Sequence, residues 1–414
     1  MTAPAGRPLR LFLVAGEPSG DALGAALIPE LRQLVPGIVI SGIGGPRMEA
    51  EGLASLFAME ELSLMGFVEI LPRYPRLRRR LHEATAAILS DPPDAIVTID
   101  SPGFCLRLLA RVRAVHPQMR TIHYVAPMVW AWKPGRAVKM ARVVDHVLAL
   151  LPFEPPLMEA AGMGCDFVGH PAVAAPRATS AEAAAFRARL GLPAKPDPSA
   201  PLVLALPGSR RGEVARHAVP FGAALHRVLA DRPGARVVVP TVRGVAAMVA
   251  RGVRDWPGRP LILDPASEAP GARAAALAAA DVALAASGTV SLELAANRVP
   301  MVVAYRMNPL TEMLLRRMLL VDTVTLLNLV AESRTVPEFL GRDCRPEAIA
   351  SALDRLLDGG PEVEAQRQAM ALCMARLGEG GEPPGRRAAR AVLGALAPRP
   401  AVLPGSRDAP AEAP

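Results

Sequence analysis

The sequence predicts an α/β protein of two domains, each a parallel sheet flanked by helices, facing one another across a shared cleft. Three observations carry this expectation. An apolar strand twice runs straight into a small-residue turn that opens a helix. The first copy is LRLFLVAG followed by EPSGDALGAALIPEL, from Leu9 to Leu31, and the second is LVLALPG followed by SRRGEVARH, from Leu202 to His217. A third helix start, ASGTVSLELA from Ala286 to Ala295, follows the strand DVALA. Such turns leave backbone N–H groups unpaired at the positive end of a helix, which suits a phosphate. Two of them half a chain apart in 414 residues point to two domains, since one core rarely grows so large.

Apolar runs and helical patterns alternate along both halves, as βαβ units require. In the first half, strands are expected at 9–15, 38–42, 95–99, 121–125, 146–150 and 167–168, with helices such as 21–34, 74–89 and 135–143 between them. GHPAVAAPRATS (169–180) reads as the crossing between domains, AEAAAFRARLGL as a helix, and PAKPDPSAP as a stiff loop. The second half offers strands at 202–206, 236–239, 261–263, 282–285 and 301–304, and late helices at 346–357 and about 362–377. The expected division is 1–172, 173–344 and 345–396. The last residues, 397–414, have little to bury and are expected to be disordered.

Composition narrows the partners. A net charge of +8 would suggest an acidic partner, but only Lys133, Lys139 and Lys195 of the 47 basic residues are lysines. With much alanine and proline as well, a compositional bias explains much of the arginine, and nucleic acid is not indicated. Four scattered cysteines without CxxC spacing argue against a disulfide framework or a zinc site and fit a reducing cytoplasm. LFLVAG is too short for a signal-peptide core, and no run approaches ~20 apolar residues, so membrane contact is expected to be peripheral.

IVTIDSPGF places Asp100 just beyond a strand's C-terminal end, the edge where open α/β sheets bind ligands. A carboxylate there is either a general base for an attacking hydroxyl or a turn cap before Pro102. GEPSGD offers Glu17, Ser19 and Asp21, of which Ser19 and Asp21 read as helix caps in isolation. In PGSRRGE, an arginine after the turn at Ser209 can clamp a diphosphate, with Arg210 preferred and Arg211 the solvated alternative. ASGTVSLE adds Ser287, Gly288 and Thr289 as amide and hydroxyl donors, and Glu293 one turn on within reach of ribose hydroxyls.

Other motifs are weaker. SGIGGPR begins like a dinucleotide fingerprint, but Arg47 stands at the third glycine. No DxD occurs, so a nucleotide-bridging metal is not indicated, and His123, His146 and His170 lack metal spacing. Trp130 and Trp132 in VWAWKPGR read as a packing anchor or as a wall of the cleft. In the segment 61–81, Leu62, Leu64, Met65, Phe67, Val68, Ile70 and Leu71 precede Arg73, Arg76, Arg78, Arg79 and Arg80. This is either an ordinary helix with solvated arginines or an apolar surface with a basic collar for an anionic leaflet. LTEMLLRRMLL (310–320) repeats the pattern, which favours the membrane reading.

Taken together, VAGEPSGDALGA, GIGGPRMEAEG, LSLMGFVEIL, IDSPGF, IHYVAPMVWAWKPGR, FVGHP, LPGSRRGEV, ASGTVSLELA, MVVAYRMNPLT and LLNLVAESRTVPEFL occur in an order and spacing that resemble the lipid-A-disaccharide synthases. The resemblance covers about Leu11 to Ala350 and implies a GT-B fold of two Rossmann-like domains, with the 345–396 helices packing back toward the first. It implies an inverting transfer joining UDP-2,3-diacylglucosamine to 2,3-diacylglucosamine 1-phosphate, giving UDP and a β(1→6) disaccharide, without a cofactor or metal. By this likeness Asp100 is the base, and Glu17 and Ser19 line the acceptor side. Ser209, Arg210, Ser287, Gly288, Thr289, Glu293 and Asn328 surround UDP. Leu64, Met65, Phe67, Arg76, Arg78 and Arg79 meet the cytoplasmic face of the inner membrane, and a homodimer is left open. Gly103 and Cys105 depart from the family's IDxPDFN, and Gly341 from VPELLQ, which leaves acceptor contacts open. A GT-B UDP-sugar epimerase and a non-catalytic nucleotide-sugar sensor are the alternatives.

Overall fold

The computed structural model describes residues 7–62, 67–194, 197–242, 244–308, 312–313 and 318–396, with residues 67–74 described by backbone alone. Leu64, Met65, most of 310–320 and the 397–414 tail therefore lie outside the described residues, as does the side chain of Phe67.

Two six-stranded sheets, parallel throughout, form the frame. The first holds β1 (Arg10–Ala15), β2 (Val39–Ile43), β3 (Ala95–Ile99), β4 (Arg120–Tyr124), β5 (His146–Ala149) and β6 (Gly164–Phe167), in the order β2-β1-β3-β4-β5-β6. The second holds β7 (Leu202–Leu206), β8 (Arg236–Pro240), β9 (Leu261–Leu263), β10 (Val282–Ala285), β11 (Met301–Tyr305) and β12 (Glu338–Leu340), in the order β12-β11-β10-β7-β8-β9. Strands β3 and β7 are buried along their whole length, as strands covered on both faces must be, which is why they read as unbroken apolar runs. The strand expected at 167–168 instead begins at Gly164 and lies at the sheet edge, where Cys165 and Asp166 hide it from an apolar pattern.

The order of strands fixes where a ligand can sit. Connections change direction between β1 and β3 in the first sheet, and between β7 and β10 in the second. At such a switch point the loops leaving the two strands diverge and open a crevice beyond their carboxyl ends. Those loops carry Glu17 and Asp100 in one domain, and Ser209 and Ser287 in the other.

The helix after β1 runs from Pro18 to Leu34, starting three residues before the expected position. Proline at the first helical position costs no hydrogen bond, so EPSG opens the helix rather than delaying it. Leu23, Leu27 and Leu31 recur every four residues and are buried on the sheet side.

The segment 345–396 divides, which corrects the expectation that all of it returns to the first domain. Ile349, Leu353 and Leu356 of the helix Pro346–Leu357 join the second domain's core with Phe221 and Leu225. Met370, Cys373 and Met374 of Pro361–Arg376 join its other core. Only Pro384–Ala395 crosses, packing Ala388, Ala389 and Val392 with Leu27, Ile28 and Leu31. Gly385 is essential to that approach, since a Cβ there would stand 2.5 Å from the Ala26 carbonyl oxygen.

Two stretches thus connect the domains, 168–179 and 377–383. They lie side by side, with the His170 N–H donating to the Leu377 carbonyl at 3.2 Å. Further contact comes from Trp130 and Phe153, which stack edge-on at 5.4 Å and pack against the second domain's core. A backbone bond from Leu320 to the Ala131 carbonyl, 2.9 Å, spans the domains at the same place.

Candidate active site

Asp100 leaves β3 with φ +54, and Ser101 follows with φ +45. Two consecutive non-glycine residues in the left-handed region are unfavourable and occur where a site demands a particular side-chain direction. The Asp100 carboxylate is held at both oxygens. Oδ2 accepts from the Ser19 hydroxyl at 2.9 Å, and Oδ1 from the Ser101 N–H at 2.8 Å. Glycine at position 16 lets the β1 and β3 turns meet, because a Cβ there would lie 2.7 Å from the Ser101 hydroxyl.

The capping expectation for this turn is corrected. Neither Ser19 nor Asp21 caps the helix Pro18–Leu34, which has no side-chain cap. Ser19 reaches across to Asp100 instead. Asp21 is buried and accepts the N–H groups of Gly45, Arg47 and Met48 at 2.9, 3.0 and 3.0 Å. The GIGGPR segment is therefore a helix start clamped by Asp21, not a nucleotide fingerprint.

Half-buried Glu17 sits between the domains. Burial and the Asp100 charge raise its carboxyl above the usual range, while Ser101 and the Arg210 guanidinium of the opposite domain pull it back. A cavity of about 700 Å³ is lined by Glu17 together with Ser209, Arg210, Glu213, Arg216 and Tyr305. The two turns read from the sequence thus share one cleft.

On the second domain, Gly208 has φ +122 and a hypothetical Cβ would collide with the Glu213 side chain at 2.5 Å. Glu213 folds back over this glycine and accepts from the N–H groups of Ser209 and Arg210, at 3.0 and 3.2 Å. The exposed Arg210 guanidinium lies 3.3 Å from the same carboxylate. Glu213 had no assigned role in the sequence, yet its place three residues after Arg210 is the position of a helix-capping acid. Behind the turn, His217 Nδ1 donates to the Pro207 carbonyl at 2.7 Å, and Nε2 accepts from the Arg306 N–H at 3.0 Å. Both ring nitrogens are thereby committed to a neutral tautomer, and burial lowers the imidazole pKa.

The remaining expected nucleotide residues divide. The Ser287 hydroxyl donates to the Val324 carbonyl at 3.3 Å. Gly288, at φ +152, has open space where a Cβ would stand, and Thr289 precedes the short helix Val290–Ala296. Glu293 is paired with Arg273 at 2.7 Å. Asn328 is buried, with its side chain exchanging bonds with the Val336 backbone at 2.9 and 3.1 Å. That amide braces the loop before β12. Arg76 and Arg80 both bind Glu61, at 2.8 and 2.5 Å, whereas Arg78 and Arg79 are exposed. Among the described residues, no cluster of His, Cys, Asp or Glu is placed to hold a metal.

Two parallel-sheet domains meeting at their switch points define a protein of the GT-B class. The chain superposes on the calicheamicin glycosyltransferase CalG4 with a TM-score of 0.58 at 17% identity, covering 94% of this chain and 99% of that one. It superposes on UDP-GlcNAc 2-epimerase from Neisseria meningitidis, bound to UDP-GlcNAc, with a TM-score of 0.57 at 10% identity, covering 94% and 98%. These likenesses show the fold, which transferases and epimerases share. The family model for lipid-A-disaccharide synthetase matches residues 11–382. The chain is 59% identical over 396 residues to the lipid-A-disaccharide synthase of Ruegeria pomeroyi, covering 95% of this chain and 96% of the relative. It is 48% identical over 394 residues to that of Rhodospirillum centenum, with the same coverage. The chain belongs to the lipid-A-disaccharide synthetase family and is a glycosyltransferase, which sets aside the epimerase and sensor readings.

Proposed function

We propose that the chain joins UDP-2,3-diacylglucosamine to 2,3-diacylglucosamine 1-phosphate, with Asp100 as general base and Arg210 at the leaving group. The observation that carries this assignment of roles is the shared cleft, in which Glu17 feels both the Asp100 carboxylate and the Arg210 guanidinium. Asp100 takes the proton of the acceptor 6-hydroxyl. That oxygen forms a bond to the donor's anomeric carbon as the bond to UDP breaks on the opposite face, inverting the centre. Positioning two substrates in one cleft removes much of the entropic barrier. Arg210 meets the charge that develops on the diphosphate, and the open space at Gly288 allows close approach of the chain to it. This displacement calls for no cofactor or metal.

Both substrates carry acyl chains, so the reaction belongs at a lipid surface. Among the described residues no helix is long and apolar enough to cross a membrane. The reading placed on the 61–81 segment is peripheral contact with the cytoplasmic face of the inner membrane, through Leu64, Met65, Phe67 and the exposed Arg76, Arg78 and Arg79.

The test is UDP release from the acylated donor with and without acceptor. Release that depends on acceptor, with a disaccharide product, is expected; release indifferent to acceptor rejects transfer. Polar replacement of Leu64, Met65 and Phe67 is expected to reduce sedimentation with anionic vesicles, and undiminished binding rejects this contact.

A further inference from the structure

A second cavity, of about 220 Å³, lies between the helices Phe67–Ser90 and Pro102–Val115. Its walls are Leu77, Leu81 and Phe104, and three arginines converge on it: Arg78, Arg107 and Arg111. Nη1 of Arg111 is buried without a hydrogen-bond partner. Other arginines with such an atom, Arg113, Arg187 and Arg298, are already ion-paired, to Asp145, Asp281 and Glu379. Among the described residues, Arg78, Arg107 and Arg111 have no acidic partner. Nearby Arg76 and Arg80 show the alternative, since both are paired with Glu61 and Arg80 also with Glu83.

We propose that this cavity is the subsite for the phosphate of the acylated acceptor. The inference rests on the transfer reading above and extends it to the acceptor's far end. An unneutralised guanidinium with a buried free donor is complementary to a phosphate monoester, which accepts bidentate charge-assisted bonds. Apolar walls around those cations suit an anion that belongs to a lipid rather than a free ion.

Placement ties the cavity to the reaction. Gly103, Arg107 and Arg111 recur at four-residue intervals and share one face of a helix that begins two residues after Asp100. Side chains on a helix lean toward its N-terminus, so both arginines lean back toward the Asp100 end. An acceptor whose 6-hydroxyl meets Asp100 carries its phosphate on the opposite side of the sugar ring, so that group needs a subsite of its own beside the helix Asp100 leads into. Gly103 lines the cavity, and a Cβ there would meet nothing within 4 Å, so the fold itself leaves that space open.

The experiment compares the whole chain with Arg107→Ala, Arg111→Gln and Arg111→Lys, using 2,3-diacylglucosamine 1-phosphate and the same lipid lacking its phosphate. Arg107 is exposed, so its variant folds even if changes at Arg111 perturb packing. For Arg107→Ala and Arg111→Gln, the acceptor KM is expected to rise about tenfold for the phosphorylated lipid and to stay nearly constant for the other. The donor KM should not move, and Arg111→Lys should recover part of the loss. Equilibrium binding of each lipid without donor gives the same comparison independently of turnover. Absence of transfer by the unaltered chain would therefore count against the reaction and not against the subsite. Equal effects on both lipids overturn the proposal. So does loss of binding to phosphatidylglycerol vesicles with unchanged acceptor binding, which would assign the phosphate to the bilayer.

Discussion

The Ser19 hydroxyl and the Asp100 carboxylate, 81 residues apart in sequence, meet at 2.9 Å where the β1 and β3 turns converge. The carboxylate proposed as base is fixed in orientation by Ser19 at one oxygen and its neighbour's N–H at the other, with a lone pair free on each oxygen for a substrate hydroxyl. Asp100→Ala is expected to lower kcat by about 10²–10⁴-fold, the usual contribution of a positioned base. UDP affinity should be unchanged, because the turn proposed for the diphosphate belongs to the other domain. Ser19→Ala should cost roughly tenfold in kcat, since it loosens the carboxylate without removing it. Turnover and equilibrium UDP binding, measured together, check both; normal turnover in Asp100→Ala removes it from the chemistry.

Asp21 supplies a stability prediction. It is the acceptor for three backbone N–H groups at the start of the helix Pro46–Ala50, and it is buried. Asp21→Ala strands those donors away from water and should destabilise the fold by about 3 kcal/mol or more. Asp21→Asn keeps an acceptor oxygen and should cost less. Denaturant titration of the two variants decides; equal stability of Asp21→Ala and the unaltered chain would contradict the clamp.

Glu154 gives a pH dependence with a definite sign. Burial pushes its carboxyl up to about 7, partly offset by bonds from the N–H groups of Leu151 and Leu150 and from Trp130 Nε1. The unfolded chain loses this proton near ~4.3, so folding is favoured fully below that pH. Its contribution is lost as pH rises through about 7, then levels off. Relative to the unaltered chain, Glu154→Gln should gain stability between those limits, by about 4 kcal/mol at most. Melting temperatures of both proteins at pH 5 and pH 8 test this, and a constant difference rejects it.

The frame of the protein was readable because its central strands are buried on both faces. Residues 95–99 and 202–206 have no polar interruption except Thr98, which is itself buried and bonded to His123 at 2.7 Å. The place of Asp100 followed from a strand end and that of Arg210 from the Gly-Ser turn it follows. Roles that depend on contacts distant in sequence did not. No local pattern reveals that Ser19 grips Asp100, that Asp21 clamps residues 45–48, or that Asn328 is enclosed by Val336. The positive φ of Asp100 and Ser101 was equally hidden, because neither residue is a glycine. Glu213 was visible in principle, through its spacing from Arg210, but capping residues are common and carry no mark of function.

The paired connectors, 168–179 and 377–383, limit how this molecule can breathe. A single tether would let one half swivel freely against the other. Two tethers fastened together at His170 and Leu377 act as the pin of a door, and the contacts of Trp130, Phe153 and Leu320 brace the halves beside it. A swing of one half against the other would turn on that pin. Because the helix Pro384–Ala395 is bolted to the far half through Gly385, it helps set the angle at which the door comes to rest.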